Sequence, residues 1–223
     1  MQDLLANIKI QVNPKTYVKD PETSDLGKKI IKNSILLIDE IGFEEFTFKK
    51  LGEKIGSNES SIYRYFENKH KLLVYLSSWY WAWIEYRLVF STNNINDKLE
   101  KLKKAIIIVT ESIEYDSKTE HINEAVLNKI IIEEFTKTLY NKNVDEENKE
   151  GIFLIYKQVN YRIEKMILEV NPNYPYAKSL VSSIIEGSLH QHFLKNHLKT
   201  ITNCNEEINP SEFYIHLIEN LLR

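Results

Sequence analysis

The chain has 223 residues, a formal net charge of −3, 43% hydrophobic and 27% charged side chains. That balance suits a soluble globular protein of one large or two small domains, and it argues against a uniformly basic coat for nucleic acid. Six glycines and five prolines are few for a turn-rich β architecture, and the single Cys204 forbids an internal disulfide, which fits a reducing cytosol. The start, MQDLLANIKIQV, lacks the features of a signal peptide, and no apolar run approaches the roughly 20 residues of a membrane span.

In chain order, residues 1–23 read as an extension ahead of the first helix. Ile8, Ile10 and Val12 alternate as a short strand does, but no partner strand follows nearby. The segment is expected to pack on the next domain, with an arm reaching toward a partner as the alternative. Thr23 and Ser24 offer an N-cap, and Ile30, Ile31, Ile35, Ile38 and Ile41 recur at helical spacing up to Gly42. Thr47 caps a second short helix carrying Phe48, Leu51 and Ile55, and Gly56 ends it in a left-handed turn. Asn58 caps a third, with Ile62 and Phe66 inward.

Longer helices follow. A fourth is expected to run to about Phe90, a fifth from about Asp97 to Tyr115, and a sixth from Asn123 to Tyr140. A seventh starts at Asp145 and continues to Val170, where Asn171-Pro172 stops it. An eighth spans Tyr174 to His197, and Pro210 opens the last. The pattern predicts an all-α chain of about nine helices, with no repeat and no βαβ alternation.

Chemistry concentrates in TFKKLGEKIGSNESSIYRYFENKHKLL, Thr47 to Leu73. Two short helices joined through Gly56, with the small Gly52 on the first, form the kind of turn that lays a second helix in the DNA major groove. Glu59, Ser60, Ser61, Tyr63 and Arg64 then make a hydrogen-bonding surface around that helix, and Lys69 stands where an ammonium meets phosphate.

The pattern T-x-x-x-L-G-x-x-x-G-x-N-x-x-S-I-Y-R-Y-F-x-N-K-x-x-L, from Thr47 to Leu72, resembles the signature of TetR-type bacterial regulators, and IIKNSILLIDEIGF before it resembles that family's first helix. The resemblance implies a helix-turn-helix module at residues 24–73 and a larger helical ligand-sensing and dimerisation domain at 74–223. It places Lys49, Glu59, Ser60 and Arg64 toward base edges and Tyr63 on backbone or base, with Thr47, Ser61, Tyr65 and Lys69 toward phosphate. Ser57, Phe46, Tyr65 and Glu59 depart from the usual residues, and the acid at Glu59 leaves the operator sequence open. Residues 24–73 hold nine Lys and Arg against eight Asp and Glu. In this arrangement Lys28, Lys29, Lys32, Lys49, Arg64 and Lys69 lie on the DNA side, while Asp39, Glu40, Glu44 and Glu45 gather at the far end of the first helix.

Beyond the module, Trp79, Trp83, Tyr86 and Phe90 form an aromatic stripe that either lines an effector pocket or is plain core; Phe135, Tyr156 and Tyr161 are weaker pocket candidates. The effector is expected to be partly apolar. By the same resemblance the last two helices pair about a two-fold axis, with Ile184, Leu189, Phe193, Ile215, Ile218 and Leu222 as apolar faces, giving a homodimer on a palindromic double-stranded DNA operator. Glu186, His190 and His197 suggest a metal-responsive alternative, against a plain polar helix face. No catalytic or cofactor-binding motif is present, so neither an enzyme nor a cofactor is expected, although a helical enzyme or interaction protein with a vestigial DNA module is a further alternative. The combined expectation is a cytoplasmic, ligand-released repressor with no membrane partner.

Overall fold

A computed structural model describes residues 10–113 and 121–222, all helix, turn and coil, with no strand among them. Among the described residues ten α-helices run in order: α1 Asp25–Glu45, α2 Phe48–Ile55, α3 Glu59–Tyr63, α4 Lys69–Thr92, α5 Lys98–Thr110, α6 Glu124–Leu139, α7 Val144–Lys149, α8 Leu154–Val170, α9 Ala177–His197 and α10 Pro210–Leu221. Short 3-10 turns stand at Pro14–Thr16, Pro21–Thr23 and Lys199–Ile201. No described helix is long and apolar enough to cross a membrane.

The chain divides into two compact units, residues 1–82 with 113–153, and residues 83–112 with 154–223. In the first, α1 packs on α2 and α6, and α2 on α3. Ile30, Ile31, Ile35, Phe46, Leu51, Ile62 and Phe66 are buried together, each contributing on the order of 2 kcal/mol by leaving water. Residues 13–23 of the extension cover this core. A Cβ on Gly27 would lie 2.2 Å from the Pro21 carbonyl oxygen, so the segment sits directly on the first turn of α1. The Val18 amide donates to the Tyr65 carbonyl at 2.8 Å, and Asp20 and Asn13 cap the two 3-10 turns. Ile10 and Val12 are not in a strand, and Ile8 lies outside the described residues.

The expected seventh helix is two helices. Gly151 takes φ +79°, which closes α7 and lets Ile152 and Phe153 turn onto Val74. Glu147 of α7 is buried and accepts from Lys71 at 3.0 Å and interacts with His70 at 3.2 Å, both on the first turn of α4. The end of α5 also differs from expectation. Its last helical residue is Thr110, and Tyr115, the expected end, lies outside the described residues.

In the second unit α5, α8 and α9 pack mutually or in sequence, and α10 lies against α5 and α9. Leu88, Leu102, Ile106, Val159, Ile163, Val181, Ile185 and Ile218 form its interior. Gly187 allows the closest approach, since a Cβ there would lie 2.2 Å from the Tyr214 hydroxyl of α10. Ile184, Leu189, Ile218 and Leu222, expected on a free dimer face, are buried within the chain, while Phe213 and Leu221 are exposed.

Candidate functional site

The turn between α2 and α3 is fixed by local chemistry. Thr47 Oγ1 accepts from the Lys50 amide at 3.2 Å and caps α2. Gly56 ends the helix at φ +66°, a conformation costly for any residue with a Cβ. The Ser57 amide returns to the Gly52 carbonyl at 2.9 Å, and a Cβ on Gly52 would lie 2.8 Å from the Ser57 carbonyl oxygen. Asn58 Oδ1 accepts from the Ser61 amide at 2.8 Å and its hydroxyl at 2.7 Å, starting α3.

This frame brings most of the expected DNA-facing residues to one exposed region of the first unit. Thr47, Lys49, Glu59, Ser60, Tyr63 and Arg64 are exposed, and Ser61 is half-buried with its hydroxyl on Asn58. The Tyr63 ring stands edge-on to buried Phe48 at 5.0 Å, which holds its phenol outward. Local desolvation, then the charge of Glu59 and its hydrogen bond with the phenol, raise the Tyr63 pKa above the usual tyrosine value.

Two expected phosphate contacts have other work. Tyr65 is buried, its hydroxyl 2.8 Å from Ser24 Oγ and its ring under the Lys19 ammonium at 5.1 Å. The Lys69 ammonium donates to the carbonyls of Phe43, Glu44 and Phe46 at 3.0, 2.9 and 3.3 Å. Those carbonyls belong to the turn beyond Gly42, whose φ of +76° breaks α1, and to the residue after it. Lys69 therefore ties the start of α4 to the end of α1. The acids at that end are also met: Glu40 by Lys54 at 2.6 Å, Glu45 by Lys50 at 3.2 Å, and Glu44 by Lys137 at 2.6 Å. Lys29 and Lys32 are exposed, whereas Lys28 is half-buried.

The aromatic stripe does not act as one surface. Trp79 and Phe135 are buried in the first unit, where Phe135 packs on Trp81 at 5.3 Å. Trp83 carries the Arg87 guanidinium over its ring at 4.7 Å, Tyr86 stacks on Phe90 at 6.1 Å, and Phe90 is exposed. Tyr156 donates to Glu186 at 3.1 Å. None of these lines a groove of the second unit that holds about 430 Å³ and is bordered by Glu85, Val89, Thr92 and Asn93 of α4 and its end, Lys101 of α5, and Gln158, Tyr161, Arg162, Lys165, Met166 and Glu169 of α8. Tyr161 alone among the expected ligand residues is there. The groove escaped the sequence because its walls are charged residues scattered over three helices; only the i, i+4 spacing of Tyr161, Lys165 and Glu169 marks a shared face.

In that groove Arg162 Nε and Nη2 both donate to Glu85 Oε1, at 2.9 and 2.6 Å, and Glu85 Oε2 is buried without a hydrogen-bond partner. Lys101 meets Glu169 at 3.4 Å. The metal alternative is not assembled. Among the described residues no three His, Cys, Asp or Glu side chains are grouped to hold an ion, and His197 instead packs on Phe193 at 4.6 Å. His192 is buried with Nε2 2.8 Å from the Thr110 carbonyl; burial, then the nearby Lys195 charge, outweighs that bond and lowers its pKa.

Residues 30–76 match the family profile described as bacterial regulatory proteins, tetR family. No curated protein sequence shows a significant likeness to the chain. Among solved structures, the chain is similar to AibR in complex with isovaleryl coenzyme A and operator DNA, at 15% identity and TM-score 0.54 over 87% of this chain and 98% of that one. It is similar to the fatty acid degradation regulator FadR from Bacillus halodurans, at 16% identity and TM-score 0.59 over 87% and 93%. A third likeness is to the superantigen PfiT, at 16% identity and TM-score 0.59 over 91% and 98%. At these identities the likeness is one of fold.

Proposed function

The chain carries the N-terminal module of the tetR family of bacterial regulatory proteins, and on that premise we propose that it is a ligand-responsive repressor that reads a palindromic operator as a homodimer. The observation that carries the reading is the α2–α3 turn. Its glycines, caps and buried Phe48 present Lys49, Ser60, Tyr63 and Arg64 outward from a packed core. Arg64 and Lys49 have the reach and charge for guanine edges, Ser60 for either base of a pair, and Thr47 and Ser61 for phosphate. Tyr65 and Lys69 hold the module's geometry.

Exposed apolar side chains support the dimer reading. Phe213 and Leu221 on α10, with Leu198 and Ile201 just after α9, are large apolar side chains exposed to water in the isolated chain. Two copies that bury them place two reading helices on half-sites about 34–36 Å apart. A small molecule held in the second unit acts through α4, which belongs to both units, and a few kcal/mol of preference for one dimer geometry suffices to release DNA. AibR, with operator DNA and a coenzyme A ester in one structure, is a precedent for that pairing of partners.

Selection of operator sequences from random DNA tests the reading. The expected product is an inverted repeat bound with a steep salt dependence. A selection that enriches no sequence, or only single half-sites bound by a monomer, overturns it.

A further inference from the structure

We propose that the groove between α4, α5 and α8 receives the anionic head of an amphiphilic small molecule, and that Arg162 is the residue that takes it, in exchange for Glu85. This deepens the effector reading above and rests on it for its consequence, although the site itself stands on its own geometry.

Four observations converge. The first is the form of the existing pair. A guanidinium and a carboxylate pair best as fork to fork, with two nitrogens on two oxygens. Here both nitrogens fall on Oε1 and Oε2 is left buried and unpaired. A ligand carboxylate or phosphate can offer Arg162 the two oxygens that Glu85 does not. The second is access. The Arg162 side chain is 40% exposed and that of Glu85 only 14%, so the cation and not the acid is the group an incoming molecule meets.

The third is charge. Lys101, Arg162 and Lys165 line the groove against Glu85 and Glu169, a local excess of one positive charge on a chain whose net charge is −3. Glu169 occupies Lys101, whereas the Lys165 ammonium stands 5.0 Å over the Tyr161 ring at the groove wall. The fourth is the remaining lining. Val89, Met166 and the Tyr161 ring give the same groove an apolar side, suited to an alkyl or aryl tail beside a charged head.

Exchange at Arg162 has a mechanical result inside the second unit. The Glu85–Arg162 pair joins α4 to α8. When a ligand anion takes the guanidinium, Glu85 loses its only cation partner in the groove wall and must turn toward water. α4 then loses a tie to α8.

Octanoate and octyl phosphate serve as probes, with octanol and octylamine as uncharged and cationic controls, in calorimetry on the full chain. Octanoate and octyl phosphate are expected to bind and the controls to bind at least about tenfold more weakly. R162A is expected to lower octanoate affinity about tenfold or more, and R162K to recover part of it. E85Q, by removing the competitor for Arg162, is expected to tighten octanoate binding several-fold, a gain that a misfolded variant does not produce. Equal binding of octanoate and octanol, unchanged affinity in R162A, or weakened affinity in E85Q overturns the proposal. Octanoate binding that leaves operator affinity unchanged overturns the exchange as a release step. If the selected operator is bound but octanoate is not, the groove inference fails alone; if octanoate binds through Arg162 but no operator exists, the repressor reading fails and the anion site stands.

Discussion

The turn that presents Arg64 and the groove that holds Arg162 are built on opposite physical terms. Around Gly56 the backbone is over-determined: a left-handed glycine, a glycine within 2.8 Å of a carbonyl for any added Cβ, and a cap that uses both donors of Ser61. Around Glu85 the geometry depends on long side chains, with one carboxylate oxygen doubly used and the other unpaired. A reading surface must return to one shape each time it meets DNA. A receptor must exchange one partner for another. Rigid backbone suits the former, and half-satisfied ion pairs suit the latter.

That contrast can be broken experimentally, and the largest effect is expected at the turn. Replacing Gly52 with Val should cost about 2–4 kcal/mol of stability, because the added atoms meet Ser57 backbone and not a flexible side-chain end. Denaturant unfolding measures it, and a loss below about 0.5 kcal/mol would show that the turn is less constrained than its geometry indicates. Next is Lys69→Ala, which should destabilise by about 2 kcal/mol by leaving the carbonyls of the turn after Gly42 without their donor. Its operator affinity should keep the same salt slope; a slope reduced by about one would return Lys69 to the phosphate contacts.

Arg64→Ala leaves folding intact and should cost about 1–3 kcal/mol of operator affinity, with preference relaxed at one base position in each half-site. Uniform weakening across all sequences would assign Arg64 to the backbone instead. The smallest effect concerns His192. Its pKa is lowered in the fold, so the unfolded chain binds the proton more readily. Stability from this group is full above the ordinary histidine value and is lost as pH falls through the lower, folded one. In His192→Gln, which keeps a donor for the Thr110 carbonyl, the stability profile should flatten on the acid side of neutrality, and an unchanged slope there would remove His192 as its source.

Much of the first unit was legible because its signals are local. Ser24, Thr47 and Asn58 cap the helices that their side chains announce, and Gly56 closes α2 as a glycine at that place should. The break at Gly151 was missed for a related reason: an isolated glycine inside a helical pattern is tolerated as often as it terminates, and what decides it here is the pull of Val74 on Ile152 and Phe153. The carbonyls that Lys69 meets were not legible, because a lysine beside such a motif has the same charge whether it faces a phosphate or a backbone carbonyl. Trp79 and Phe135 are core, and their size alone gave no sign of it. The groove was the least visible, since Glu85 and Arg162 are 77 positions apart and nothing in either neighbourhood points to the other.

The seating of residues 14–24 against α1 has a practical side. The Val18 amide, the Lys19 ammonium and Ser24 all converge on Tyr65, which follows the last turn of α3. Residues 14–24 thus brace Tyr65 and the end of α3. Under the proposed function, a protease nick ahead of Asp25 is expected to weaken operator binding while leaving the helical content almost untouched, and circular dichroism would pass such a sample as sound.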